Sequence, residues 1–233
     1  MSTVSTLTVT PILVAQLLAR DGRMPVFVHV IDHPDGRVLV DTGMTQLHPA
    51  VADMDPLLTP LSEQAFDLAS IDLVVNTDRE RKHLRRADHL PDRPTFVQRR
   101  ELDDARSLND YTIPEWVDAP GVQYVPVDGE FEVLPGINLL PTPGHTRGSQ
   151  VVVVDVAGRP IVIAGDTAVF HAELDDARTE AQRLVVGLDP EAVWLSHEYE
   201  PWRPKMAEKK PRTWREVTGL SYTPRDLNPE PTD

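Results

Sequence analysis

Four segments, VLVDTG, LLPTPGH, VIAGD and VWLSH, share one plan: an apolar run stops abruptly at a residue able to hold a proton or a metal. The residues delivered there are Asp41, His145, Asp166 and His197. Short apolar runs bounded by turn signals read as strands buried on both faces. One histidine after a strand is ordinarily a loop or core residue. Four polar strand ends in one chain point instead to packed sheets whose edges meet at a common cavity.

The intervening sequence supplies the rest of such a framework. MPVFVHVID and GRVLVD flank HPDG, so residues 24–41 read as a hairpin with His33 in its turn. PLSEQAFDLA predicts a helix over 61–69, and IDLVVN a short buried strand. TFVQ reads as a strand and RRELDDARSL as a helix, giving β-α-β alternation after the first hairpin. VQYVPVDGEFEVLPGINLLPT alternates strands with turns, and SQVVVVDVAGRPIVIAG is a second hairpin. LDDARTEAQRLVVGL is helical in pattern, and AVWLSH is a last strand. The halves look alike, which predicts two packed sheets with helices outside.

With 233 residues the chain can bury one sizeable core, expected over residues 1–207, with a polar, Pro-rich and loosely structured tail over 208–233. There is no cysteine, so any metal must be held by His, Asp and Glu. The net charge of −14 opposes binding to nucleic acid, which relies on Lys and Arg at phosphates. No apolar stretch reaches the roughly 20 residues of a membrane helix. The apolar run Ile12–Ala19 lacks preceding basic residues and reads as structure rather than an export signal, so a soluble, cytoplasmic protein is expected. Eight of the 23 basic residues fall between Arg79 and Arg100, which suggests attraction of an anionic substrate or, more plainly, a solvated charged face.

The four motifs, in this order and at this spacing, resemble the metallo-β-lactamase superfamily, in particular the branch that includes the N-acyl homoserine lactonases. DTG resembles the family's Asp-Thr-Gly turn, PTPGHTRGS its third-histidine loop, GDT its bridging aspartate and LSH its last histidine. The resemblance covers roughly residues 25–205. It implies an α/β fold, a four-layer αββα sandwich with metals at the sheet edge. Carried over by position, it implies that His145 ligates a first metal, Asp166 bridges, His197 ligates a second, and Asp41 supports the ligands from behind.

The first metal-binding motif departs from the pattern. Where the family carries HxHxDH after a strand such as IDLVVNT, this chain reads DRERKH. Asp78 and Glu80 then stand for the first two histidines, Lys82 for the aspartate, and His83 remains. A competing register uses Asp88 and His89 but needs an insertion after the strand. A protonated lysine has no lone pair to offer and repels a cation. The glutamate resembles the substitution in flavodiiron proteins, and carboxylate-rich sites suit iron or manganese as well as zinc. Asp78, Glu80 and Asp166 together supply −3 and Lys82 +1, a balance that one divalent cation neutralises.

The expectation is therefore a single zinc, iron or manganese ion drawn from the set Asp78, Glu80, His83, His145, Asp166 and His197. Asp166, Lys82 and Glu80 are the candidate catalytic groups. The expected reaction is hydrolysis of a small ester, lactone or related acyl compound. Two alternatives stay open. In one, Lys82 pairs with the carboxylates in a metal-free pocket and serves a lyase, cyclase or isomerase; in the other, the chain is a non-catalytic binding module. The tyrosine that lactonases of this branch carry beyond the bridging aspartate is missing, since Val169, Phe170 and His171 stand there. His29, His48, Trp194 and Trp202 have either a site or a packing reading.

Overall fold

Apolar strand residues in this chain alternate between two different cores, and that alternation explains why the runs are continuously hydrophobic. The computed structural model describes residues 7–20, 22–43, 53–78, 90–109 and 111–204. Strands β1 (Thr8–Ala19), β2 (Gly22–His33), β3 (Gly36–Val40), β4 (Leu57–Leu58), β5 (Leu73–Val75), β6 (Pro94–Gln98) and β7 (Gln123–Val127) form one sheet in the order β4-β1-β2-β3-β5-β6-β7. Strands β8 (Phe131–Leu134), β9 (Ile137–Pro141), β10 (Gln150–Val154), β11 (Ile161–Ile163) and β12 (Ala192–Trp194) form a second, ordered β12-β11-β10-β9-β8.

Successive side chains of a strand point to opposite faces. Val38 and Val40 of β3, Leu73 and Val75 of β5, and Val152 and Val154 of β10 accordingly meet in the core between the sheets. Their neighbours point outward. Leu39 and Val74 join an outer cluster with Val14, Val28, Leu61 and Ile71, while Val151 and Val153 pack with Leu174, Val185 and Leu188. The latter cluster lies under helices α3 (His171–Asp175) and α4 (Glu180–Gly187). Helices α1 (Arg99–Ser107) and α2 (Pro114–Val117) close the far end of the first sheet through Val97, Leu102, Ala105 and Val117.

Strands β3, β5, β6 and β7 run parallel, so their C-terminal ends lie on one edge. In the second sheet β9 and β11 are each antiparallel to β10, and β12 is parallel to β11, so the three share a direction. Polar contacts join the two edges: the Gln150 backbone N–H donates to the Thr77 carbonyl at 2.9 Å and its side-chain amide to the Asn76 carbonyl at 2.7 Å. Gln98, at the end of β6, donates to the Gln150 side-chain oxygen at 2.9 Å. The two-sheet α/β architecture thus agrees with the sequence expectation, as does each expected hairpin.

Two helical expectations are corrected. Residues 61–69 hold two 3-10 turns, Leu61–Glu63 and Leu68–Ser70, instead of one helix. Gln64 is extended, and the Asp67 carboxylate accepts from the Ala69 N–H, a local bond that competes with helix continuation. The pattern over 174–188 is likewise divided, because Thr179 caps a new start at α4 in a reciprocal box with Gln182. The boundary expected between residues 207 and 208 lies outside the described residues. No helix among the described residues is long and apolar enough to cross a membrane.

Candidate metal centre

Asp166 follows β11 after Ala164 and Gly165, and His197 follows β12 after Leu195 and Ser196. The Asp166 carboxylate stands between two imidazoles, with Oδ2 3.5 Å from His145 Nε2 and Oδ1 3.5 Å from His197 Nε2. Asp78, three residues beyond β5, completes a cluster in which one ligand atom each of Asp78, His145 and Asp166 lies within 4.8 Å of the others. Asp78, Asp166 and His197 are buried, while His145 is partly exposed and opens the cluster to solvent.

The spacing fits a cation. Two donor atoms each about 2.0–2.2 Å from a tetrahedral metal stand roughly 3.4 Å apart. The separations of 3.5 Å on Asp166 match this better than the roughly 2.9 Å of a direct N–H···O bond. His197 is also set in the ligating tautomer: its Nδ1 lies 2.8 Å from the Pro25 carbonyl, which can only accept. Nδ1 is therefore a donor to Pro25, which leaves Nε2 as the nitrogen presented toward Asp166. The clustered donors are one imidazole and two carboxylates, with the His197 imidazole at the far oxygen of Asp166, and such donors suit zinc, iron or manganese.

Each loop carrying these residues is held from behind. Asp41, buried and at φ 68°, accepts from the Thr77 N–H and hydroxyl, both at 2.8 Å, and so fixes the residue before Asp78. Gly165, at φ 53°, passes so close to Thr77 that a Cβ there would meet its hydroxyl oxygen at 2.5 Å. The His145 loop closes on itself through Thr142 N–H to Ser149 carbonyl at 2.8 Å and Gly144 N–H to Thr146 carbonyl at 2.9 Å. Arg147 clamps it to α1 with a two-pronged contact on Asp104, at 3.0 and 2.7 Å.

A half-open cavity of about 440 Å³ borders His197, between the turn of the β1–β2 hairpin and the chain after β12. Met24, Pro25, Phe170 and Tyr199 give it a mostly apolar wall. Its size is that of a small-molecule site.

Asp78, His145 and Asp166 are thus brought together, His197 stands at the other oxygen of Asp166, and Asp41 sits behind Asp78 through Thr77. Glu80, Lys82 and His83, with the competing pair Asp88 and His89, lie outside the described residues, as does His48. Three members of the basic span are engaged elsewhere: Arg93 with the Ile71 carbonyl, Arg99 with Asp128, and Arg100 with Asp104. These three lend no support to an anion-attracting face. Trp202 packs in the outer core and donates to Asp175, and Trp194 packs on the buried His29. His171 starts α3, with Nε2 2.9 Å from the Glu200 carbonyl.

Sequence reasoning missed Glu101, Thr146 and Tyr111. Glu101 is fully buried, and it accepts from the Thr146 hydroxyl at 2.6 Å and the Tyr111 hydroxyl at 2.7 Å. The Tyr111 phenol is pushed well above its ordinary range, first by burial and then by the charge and hydrogen bond of Glu101, with the charge of Asp78 adding to the effect. A signal existed. Glu101 and Asp104 flank Leu102 and Ala105 on the stripe of α1 that turns inward, an unusual place for acids without partners.

Against this geometry the family is established directly. A model of the metallo-beta-lactamase superfamily matches residues 21–197, and the chain belongs to that superfamily. Among its relatives is an N-acyl homoserine lactonase from a Bacillus species, 24% identical over 211 residues, spanning 77% of this chain and 84% of that protein. Another is the N-acyl homoserine lactonase AiiA of Bacillus thuringiensis subsp. kurstaki, 24% identical over 190 residues and 74% of each chain. A solved N-acyl homoserine lactone hydrolase, with the product N-hexanoyl-L-homoserine bound at its catalytic metal centre, superposes with a TM-score of 0.66 at 19% identity, covering 85% of this chain and 95% of that one. The hydrolase AbOPH, of the beta lactamase superfamily, gives 0.62 at 13% identity, over 90% of this chain and 94% of that one.

Proposed function

We propose that this protein is a metal-dependent hydrolase of a small ester, lactone or related acyl compound, with one divalent cation held by Asp78, His145 and Asp166, and with His197 at the other oxygen of Asp166. The observation that carries the reading is Asp166, a buried carboxylate with an imidazole nitrogen 3.5 Å from each of its oxygens. Left without a cation, such clustered carboxylates resist ionising together. A bound divalent ion would supply Lewis acidity toward a carbonyl oxygen and acidify a water.

The chain's own residues would do the remaining work. Asp166 is placed to orient the attacking water and accept its proton, since its Oδ2 lies toward His145, the partly exposed side of the cluster. His197, locked by Pro25, holds its edge of the site in one orientation. The apolar cavity beside His197 accommodates the acyl portion of the substrate and excludes water from it. The curated lactonase relatives support an acyl substrate, while Val169, Phe170 and His171 in place of the branch's tyrosine argue for a leaving group other than homoserine lactone.

The test is elemental analysis of freshly purified protein, followed by assay on a panel of aryl esters, simple lactones and acyl homoserine lactones. Hydrolysis abolished by a chelator and restored by one metal supports the reading. Full activity in chelator, or no metal and no turnover of any panel member, would defeat it.

A further inference from the structure

Two threonines adjoin two site residues, and each is gripped by a buried carboxylate. Thr77 precedes Asp78 and is held by Asp41. Thr146 follows His145 and is held by Glu101, whose other oxygen accepts from Tyr111. We propose that Glu101, through Thr146, is the positioning residue that sets His145 toward Asp166, with Tyr111 fixing the Glu101 carboxylate. The inference rests on the metal-site reading above.

The direction of each bond follows from chemistry. The Thr146 hydroxyl has one proton, and it goes to the Glu101 carboxylate at 2.6 Å. The Ser149 hydroxyl, 2.6 Å from Thr146 Oγ1, must then donate to Thr146, and Ser149 in turn accepts from the Thr146 N–H at 2.9 Å. Thr146 is thus held at both its backbone and its side chain, within one bond of the residue that carries the His145 imidazole. Exchange of any member for a group that cannot donate opens this ring.

Backbone packing gives the same direction. A Cβ on Gly148 would stand 2.3 Å from the Glu101 backbone nitrogen, so the loop lies directly on the first turn of α1. Arg147, between Thr146 and Gly148, grips Asp104 on the next turn. Helix α1 therefore acts as a fixed block against which the His145 loop is registered, and Glu101 is the residue on it that holds the neighbour of His145. Residues that orient a ligand from behind commonly control affinity for the metal.

The test compares zinc affinity, by competition with a chromophoric chelator, and the visible spectrum of the cobalt-loaded protein across wild type, Glu101→Ala, Glu101→Gln, Thr146→Val, Thr146→Ser and Arg106→Ala. Glu101→Ala and Thr146→Val should each weaken zinc binding by about 10–100-fold and shift the cobalt bands. Combining them should add little, because both break the same link. Thr146→Ser should rescue affinity. Glu101→Gln should fall between, since its amide oxygen can serve one hydroxyl but not both. Arg106→Ala, also on α1 but removing only an exposed ion pair with Asp118 after α2, should bind zinc as wild type does.

Folded Glu101→Ala and Thr146→Val with unchanged affinity would overturn the proposal, as would Thr146→Ser matching Thr146→Val. If Glu101→Ala does not fold, Thr146→Val decides. If wild type takes up no zinc, the proposed function fails separately, and crystal structures then decide the inference: a Thr146→Val variant that keeps the 3.5 Å contact of His145 with Asp166 refutes it, and a displaced His145 supports it.

Discussion

The second sheet delivers His145, Asp166 and His197 from beyond the ends of three strands, whereas the first delivers Asp78 beyond β5, at the head of the run DRERKH. In the second half PTPGHTRGS, GDT and LSH resemble the superfamily's motifs in order and residue type. In the first half DTG resembles its turn, but the run after IDLVVNT reads DRERKH where the resemblance implies HxHxDH. The contrast fits the proposed reading, in which one half of a metal centre spread over two sheets keeps its donors while the other changes them. On that reading Asp166 sets where a cation sits, and the DRERKH run sets the charge around it.

That contrast can be broken experimentally. Asp166→Ala removes the carboxylate shared by both imidazoles and should lower metal affinity by more than about 100-fold, above the range for a group behind the ligands. Asp78→Ala removes a proposed ligand from the first sheet alone and should cost about 100-fold, less than Asp166→Ala, measured by the same chelator competition. Equal losses would dissolve the distinction.

Stability offers a second comparison. Asp41→Ala leaves two buried donors of Thr77 without their acceptor and should lower the unfolding free energy by about 3 kcal/mol in a urea titration. Thr179→Ala, which removes the cap of α4 in the other half, should cost only about 1 kcal/mol. A reversal would show that the edge contacts around Thr77 matter less to the fold than the outer helices do.

The smallest effect expected is alkaline. Because the Tyr111 phenol is raised in the folded state, the folded chain keeps a proton that the unfolded chain loses above about pH 10. Its contribution is complete below that pH and declines as pH rises through it. Tyr111→Phe should therefore show a shallower loss of stability above pH 10 than wild type, read from urea midpoints.

Much of this was legible in the sequence because strands buried on both faces need unbroken apolar runs, and Val38 to Val40 or Val151 to Val154 leave little else to fold into. The strand-end residues Asp41, His145, Asp166 and His197 followed from where those runs stop. The helix expected over 61–69 failed because periodicity does not register an Asp67 side chain satisfying a nearby N–H. The partner of His197 was hidden for another reason: it is the Pro25 backbone carbonyl, which any residue could supply. Glu101 and Thr146 lie 45 positions apart, and only the packing of the Gly148 loop on α1 brings them together.

Metal stoichiometry measured beside the Asp166→Ala variant bears most directly on the centre described here. About one divalent ion per wild-type chain, and almost none in the variant, is the expected result. A wild-type chain that holds no ion, or two, or a variant that keeps its ion, would contradict it.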